Sequence, residues 1–247
     1  MSACASIVPR YTHDEESSRL VAIDHCNETF ANLAADDRVA WALENLPDQH
    51  IVTSSFGAHA AVSLHLLSRQ KADIPVILID TGYLFPETYR FVDELTEKLD
   101  LNLKVYRSPM SPHWQEARFG ERWKMGPKAL QEYNQQVKVE PMLRAIDELD
   151  VGTWFAGLRR SQSVGRQDTS FLDWTNERWK VHPIADWTDR DVHRYLTRNN
   201  LPYHPLWEHG YESIGDYHTT KSIHEVSEKE QLRFFGIKRE CGIHEIA

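Results

Sequence analysis

The chain has 247 residues, 41% hydrophobic and 26% charged, an ordinary globular composition and long enough for one large α/β domain or two small ones. A formal charge of −9 argues against general binding to nucleic acid or to an anionic membrane surface, and apolar runs such as Ile74 to Ile79 fall far short of a bilayer span. Three cysteines, Cys4, Cys26 and Cys241, form neither a CxxC pair nor an even framework, so a disulfide-stapled secreted domain and a cysteine-rich metal site are both unsupported.

Residues 1 to about 26 have no convincing period and, with Pro9 ahead of a polar, acidic stretch, are expected to form a loosely held arm. They lack the basic-then-apolar pattern of a secretory signal, so a cytoplasmic location is expected. From Glu28 to Leu46, the residues Phe30, Leu33, Val39, Trp41, Ala42 and Leu46 recur at roughly helical spacing and predict a helix ending before Pro47. His50 to Ser55 predicts a strand running into the small-residue loop Ser54-Ser55-Phe56-Gly57, and Ala60 to Ser68 predicts the helix that follows. Such a loop places free N–H groups at the positive end of a helix, where phosphate or sulfate is favoured. It also fits a plain strand-to-helix turn, and its single glycine matches neither the dinucleotide nor the P-loop pattern.

Pro75 to Asp80 is the continuous apolar run expected of a parallel strand covered on both faces, and it ends in Asp80-Thr81-Gly82, at the edge where open α/β sheets bind ligands. Pro86 fits the first turn of a helix reaching Leu99, and Leu103 to Tyr106 predicts a third strand. Two strand-helix units followed by a strand imply right-handed crossovers and a parallel sheet. Residues 109–139 predict short helices over the sheet's carboxyl edge, whose aromatic residues fit either core packing or stacking on a base. Glu140 to Leu149 predicts a helix and Gly152 to Gly157 a fourth strand.

Directly after that strand come Arg159, Arg160 and Gln162, then Arg166, a grouping suited to bidentate phosphate recognition, although adjacent basic residues also occur on solvated faces. Trp179 to Ile184 predicts a last strand, and Thr188 with Asp191 predicts the N-cap of a helix running to about Asn199. His204, His209 and His218 show no HExxH spacing and no GxSxG elbow is present, so neither a metal site nor a serine hydrolase is expected. Near the C-terminus, Lys238-Arg239-Glu240-Cys241-Gly242-Ile243-His244-Glu245 sets a lone cysteine among cations. Lys238, Arg239 and His244 each favour the thiolate, which makes Cys241 the candidate nucleophile; the alternative is a surface cysteine in a frayed terminus.

Seven stretches occurring in order, SSFG (54–57), IDTGYLFPETY (79–89), KVEPM (138–142), GLRRSQS (157–163), HPIADW (182–187), LPYHPLW (201–207) and KRECGIHE (238–245), closely resemble the 3'-phosphoadenylyl sulfate (PAPS) reductases, the assimilatory enzymes that make sulfite. The resemblance implies an adenine nucleotide α-hydrolase-like parallel sheet with helices on both faces and a flexible catalytic tail. It divides the chain into an arm (1–26), a nucleotide-binding α/β domain (27–230) and a tail (231–247). Ser54, Ser55, Phe56 and Gly57 would then face a phosphate-bearing end of the nucleotide, and Asp80, Thr81 and Gly82 would line the adenosine pocket. Arg159, Arg160, Gln162 and Arg166, with Lys238 and Arg239 of the tail, would meet the anionic groups. Cys241, assisted by His244, would attack the sulfonate sulfur, and thioredoxin or glutaredoxin would resolve the adduct; a homodimer is implied as well.

Related reductases of unphosphorylated adenylyl sulfate hold an iron-sulfur cluster on a Cys-Cys pair and a later CxxC. Tyr133-Asn134 and Asp216 with Thr219 stand at the matching positions, so no cluster is expected and the 3'-phosphorylated substrate is favoured. The loop also departs from the ATP pyrophosphatases, with His59 and Ala60 in place of an acid and a hydroxyl, which disfavours magnesium-dependent adenylation. Two other readings remain open: a cluster-free adenylyl-sulfate reductase, and a nucleotide-binding protein without the chemistry.

Overall fold

The computed structural model describes residues 15–236 and 242–243. A six-stranded sheet is built from β1 (His50–Thr53), β2 (Pro75–Ile79), β3 (Asn102–Tyr106), β4 (Thr153–Ala156), β5 (Leu172–Thr175) and β6 (Arg178–Val181), in the order β3-β2-β1-β4-β6-β5. All neighbours are parallel except β5 and β6, which form an antiparallel hairpin. Sequence reasoning predicted the β6 region alone. Its partner was hidden because Asp173 and Thr175 break the apolar run and Asn176-Glu177 turns the chain through two left-handed residues.

Alternation along each strand sends Val52, Val76, Leu78 and Phe155 to one face, and Ile51, Ile77 and Trp154 to the other. The first face is covered by α1 (Glu15–Ala31), α2 (Ala35–Asn45), α3 (Ala60–Ser68), α4 (Pro86–Leu99) and α8 (Asp189–Arg198), whose apolar side chains join one cluster. The second face carries α7 (Glu140–Glu148), which contributes Met142, Ala145 and Ile146. Strands β1 and β4 are neighbours, yet the connections leaving them cross to opposite sides, so their carboxyl ends flank a crevice at the topological switch point.

Residues 15–31 are helical rather than an arm extending to residue 26, and the expected helix over Glu28 to Leu46 is two helices broken after Ala31. The period was weak because, among the residues of this helix whose burial is described, only Ile23, Cys26 and Phe30 are buried, a narrow stripe among polar neighbours. Asn27 docks this helix on the sheet's edge: its amide donates to Leu172 O (2.9 Å), and its side-chain oxygen accepts from the backbone N–H groups of Phe171 and Leu172 (both 2.9 Å). The packed body also continues past residue 230, since Leu232 and Phe234 are buried, and Arg233 bridges to Thr220.

Beyond the sheet's carboxyl edge lie α5 (Pro112–Phe119) and α6 (Pro127–Asn134), the short helices expected over 109–139. A π-helical turn, Gln135–Val139, joins α6 to α7 without a loop. Here Val137, Lys138 and Val139 are all buried, so the turn is covered on more than one side. Trp123 and Tyr133 of this region join Tyr83 and Phe234, with Leu130 and Val137, in a third cluster and pack as core, whereas Trp114 and Phe119 are exposed.

Candidate active site

The crevice opens as a cavity of about 580 Å³, lined by the loop after β1, the loop after β4, the end of β2, and the segment 212–216. The loop after β1 is pinned rather than free. Ser54 N–H donates to Ile77 O (3.0 Å), Phe56 N–H donates to Ser54 Oγ (3.0 Å), and His204 N–H donates to Ala58 O (3.3 Å). Phe56 takes a left-handed backbone (φ 48°) that turns its ring into the core, where it is fully buried. Ser54, Ser55 and Gly57 line the cavity; Phe56 does not, and serves as the plug beneath them.

Of the three residues ending β2, only Thr81 reaches the cavity. Asp80 is committed to the turn, its carboxylate accepting from Gly82 N–H (2.8 Å) and Tyr89 O–H (2.7 Å). Gly82 (φ 76°) lies so close to Pro112 that a Cβ there would sit 2.5 Å from its ring.

The four residues predicted after β4 all line the cavity, with different commitments. Arg159 is buried and donates to Asp189 Oδ1 (2.9 Å), Ser161 Oγ (3.0 Å), Trp187 O (3.3 Å) and His59 Nδ1 (3.1 Å), so its guanidinium is largely spent on holding the loop. Arg160 donates from Nε to Thr169 O (2.8 Å) and stacks 4.7 Å from the Phe171 ring centre. Gln162 accepts from the Arg159 backbone N–H (3.1 Å) and from the Arg166 guanidinium, which ties Arg166 to the backbone of the loop. At the same end, His59 packs against Tyr203 and Trp207; burial, reinforced by the Arg159 charge, pushes its pKa down to about 4 and keeps it neutral.

Sequence reasoning missed the other wall. Asp216 is buried and receives Thr81 O–H (2.6 Å) and Tyr133 O–H (3.1 Å), and it forms an ion pair with Lys138 (2.6 Å). Burial opposes its charge, but the Lys138 ammonium and then His218 outweigh it and hold the carboxyl below its usual range. His218 stacks on Trp123 (3.8 Å), and burial pushes its pKa down to about 4. Arg233 also lines the cavity, lying on Gly215 so closely that a Cβ there would meet its guanidinium at 2.3 Å. The signal available for Lys138 is its place in the KVEPM stretch, which carries the resemblance but assigns the lysine no role.

In total five cationic side chains, Lys138, Arg159, Arg160, Arg166 and Arg233, line a cavity with three carboxylates, Asp189, Glu212 and Asp216, at one edge of a chain whose overall charge is −9. The excess of positive charge is local to the crevice, and it suits a polyanion. Among the described residues, no three His, Cys, Asp or Glu side chains converge as a metal site. Cys241, His244, Lys238 and Arg239 lie outside the described residues. Ile243, two positions beyond the cysteine, is described and lines the same cavity.

A parallel sheet with its crevice at the β1/β4 switch point and phosphate-sized loops on both sides defines an adenine nucleotide α-hydrolase-like protein. FMN adenylyltransferase from Candida glabrata has this fold too, with a TM-score of 0.57 at 13% identity over 97% of this chain and 77% of that one. The phosphoadenosine phosphosulfate reductase domain model matches residues 49–222, and the chain belongs to that family. It is 61% identical over 229 residues to the phosphoadenosine 5'-phosphosulfate reductase of Xanthomonas oryzae pv. oryzae strain PXO99A, covering 93% of this chain and 95% of that one. The enzyme of the same name from Alkalilimnicola ehrlichii is 56% identical, with 91% of each chain covered. The crystal structure of PAPS reductase from Candida auris in a phosphate complex superposes with a TM-score of 0.72 at 29% identity, covering 86% of this chain and 99% of that one.

Proposed function

We propose that this protein reduces 3'-phosphoadenylyl sulfate to sulfite and adenosine 3',5'-bisphosphate in sulfate assimilation. The observation that carries the reading is a cationic crevice at the sheet's switch point whose lining includes Ile243, two positions from the one cysteine set among cations. Ser54, Ser55 and Gly57 receive one anionic end of the nucleotide, Thr81 lines its pocket, and Arg160 and Arg166 meet its charged groups, with Lys238 and Arg239 contributing from the tail.

The Cys241 thiolate, favoured by His244 and the neighbouring cations, attacks the sulfonate sulfur. An S–S bond forms as the S–O bond to phosphate breaks, and the bisphosphate leaves with that electron pair. The crevice cations stabilise the charge it gains. A thiolate of thioredoxin or glutaredoxin then attacks Cys241 Sγ, sulfite departs with the S–S electron pair, and the donor's second thiol closes its own disulfide, which restores the Cys241 thiolate. The donor dithiol thus supplies both electrons. A cytoplasmic, homodimeric enzyme without a bound cofactor fits this chemistry. No helix among the described residues is long and apolar enough to cross a membrane.

The test is intact-protein mass spectrometry after mixing reduced protein with PAPS, and separately with adenylyl sulfate, without a dithiol donor. A gain of about 80 Da, one SO3 group, that is absent from Cys241→Ser is the expected result. Faster labelling by PAPS assigns the 3'-phosphorylated substrate, faster labelling by adenylyl sulfate assigns the other, and no adduct with either removes the covalent mechanism.

A further inference from the structure

Two guanidinium groups share one aromatic ring. Arg160, which lines the crevice, lies 4.7 Å from the Phe171 ring centre, and Arg38 of α2, which does not line it, lies 4.0 Å from the same centre. Arg38 is 2% exposed, and its hydrogen bonds fix where it sits. Its Nε donates to Phe30 O (2.7 Å) at the end of α1, its Nη1 donates to Pro183 O and Asp186 Oδ1 (both 2.7 Å), and its Nη2 donates to Asp186 Oδ2 (2.9 Å). Such a fork sets its carboxylate partner in angle as well as distance.

That partner belongs to the segment 183–187 between β6 and α8, which also carries the arginine loop. Ala185 O accepts from the Arg160 backbone N–H (2.8 Å), and Trp187 O accepts from Arg159 Nη1 (3.3 Å) and Ser161 Oγ (3.0 Å). Arg160 is therefore held at Ala185 O, at Thr169 O and on the Phe171 ring, and Arg38 stands behind the first through Asp186 and behind the last through the shared ring. A buried ion pair is a weak source of net stability, because desolvation offsets the attraction. We propose that Arg38 is a positioning residue, aiming the Arg160 guanidinium into the crevice from outside it through Phe171 and the 183–187 segment. The inference rests on the nucleotide reading above, in which Arg160 meets a charged group, and adds to it the support that directs that arginine. In Arg38→Lys the charge against Asp186 stays, but a single ammonium reproduces neither the fork nor the planar stack. Phe171→Leu keeps an apolar side chain and removes the ring, which tests the same relay from its middle.

The experiment is isothermal titration of adenosine 3',5'-bisphosphate into the full-length protein, which reads affinity and stoichiometry separately. Each substitution is expected to raise the dissociation constant about fivefold with stoichiometry unchanged, a smaller loss than removal of the Arg160 side chain itself. A role confined to stability lowers the fraction of competent protein instead, so that stoichiometry falls and affinity does not. The decisive arm is the Arg160→Ala background, where Arg38→Lys and Phe171→Leu are expected to weaken binding no further, since the group they aim is gone. Urea unfolding accompanies each variant, and if Arg38→Lys does not fold, Phe171→Leu alone decides. Wild-type affinity in either folded single variant, or an equal loss with and without the Arg160 side chain, overturns the relay while leaving the nucleotide site in place. A wild-type protein that does not bind the bisphosphate overturns the site reading and the relay with it.

Discussion

Arg160 differs from Arg159 in what its guanidinium has left to offer. Arg159 is enclosed by four protein acceptors, whereas Arg160 commits Nε to Thr169 O and its face to Phe171, and lines the crevice. Arg160→Ala is therefore expected to weaken adenosine 3',5'-bisphosphate binding by about 1.5 to 3 kcal/mol, the range for a hydrogen bond to a charged group. Isothermal titration calorimetry reads this directly, and an unchanged dissociation constant removes Arg160 from the site. His182 and His204 supply a second test at the same scale. Both are buried, and burial lowers each pKa from 6.5 to about 4. His204 Nδ1 accepts from Leu206 N–H (3.1 Å) while its Nε2 faces Thr88 Oγ1 (3.0 Å), an arrangement that requires the neutral ring. The unfolded chain takes up these protons near pH 6.5 and the folded one only near pH 4. The stability is therefore fully present above pH 6.5 and is lost as pH falls between those values, by roughly 1.4 kcal/mol per pH unit per histidine. Urea unfolding at pH 7 and pH 5 tests this, and identical unfolding free energies contradict it. Residues whose roles depend on long-range partners were the ones sequence reading misplaced: Asp80 sits beside Thr81 in the chain but faces Tyr89, and Asp216 becomes the centre of a wall only because residues 81, 133 and 138 fold onto it.

Among the elements, α8 was legible because its start is written locally. Thr188 Oγ1 accepts from Asp191 N–H (3.3 Å), and Asp191 Oδ2 accepts from Thr188 N–H (2.9 Å), a reciprocal cap within four residues. Thr188→Ala is expected to cost about 1 kcal/mol of stability, within the range for lost N-caps, and a denaturation midpoint equal to the wild type's contradicts that role. The strands β1, β2 and β4 were equally readable, their apolar runs being the direct imprint of a sheet covered on both faces, while β3 is an edge strand in which Leu103 and Val105 alternate with polar neighbours. The helix α1 was not, because what holds it is Asn27 on the edge strand rather than a broad apolar stripe. The hairpin strand β5 was lost for a related reason, since it pairs with only one neighbour and its residues need not be apolar.

At the scale of the whole molecule, the switch point does what no single motif does. It brings loops separated by about a hundred positions, after β1 and after β4, to the two sides of one crevice, and the π turn between α6 and α7 adds Lys138 to its lining. That turn also acts as a phase adjuster. The two helices it joins serve different neighbours, α6 the aromatic cluster and α7 the underside of the sheet, and the wider turn takes up an extra residue while one continuous helical rod satisfies both. A π turn advances by about 80° per residue against about 100° for an α-helix, so the five residues Gln135–Val139 rotate the chain about as far as four α-helical residues would, and removing one would restore ordinary pitch with α7 close to its present orientation. Met142 and Ile146 would stay on the sheet, and the crevice would keep Met142 in its wall. The turn therefore absorbs one residue of length, and homologous chains one residue shorter here are expected to run a regular α-helix through it with the same face on the sheet.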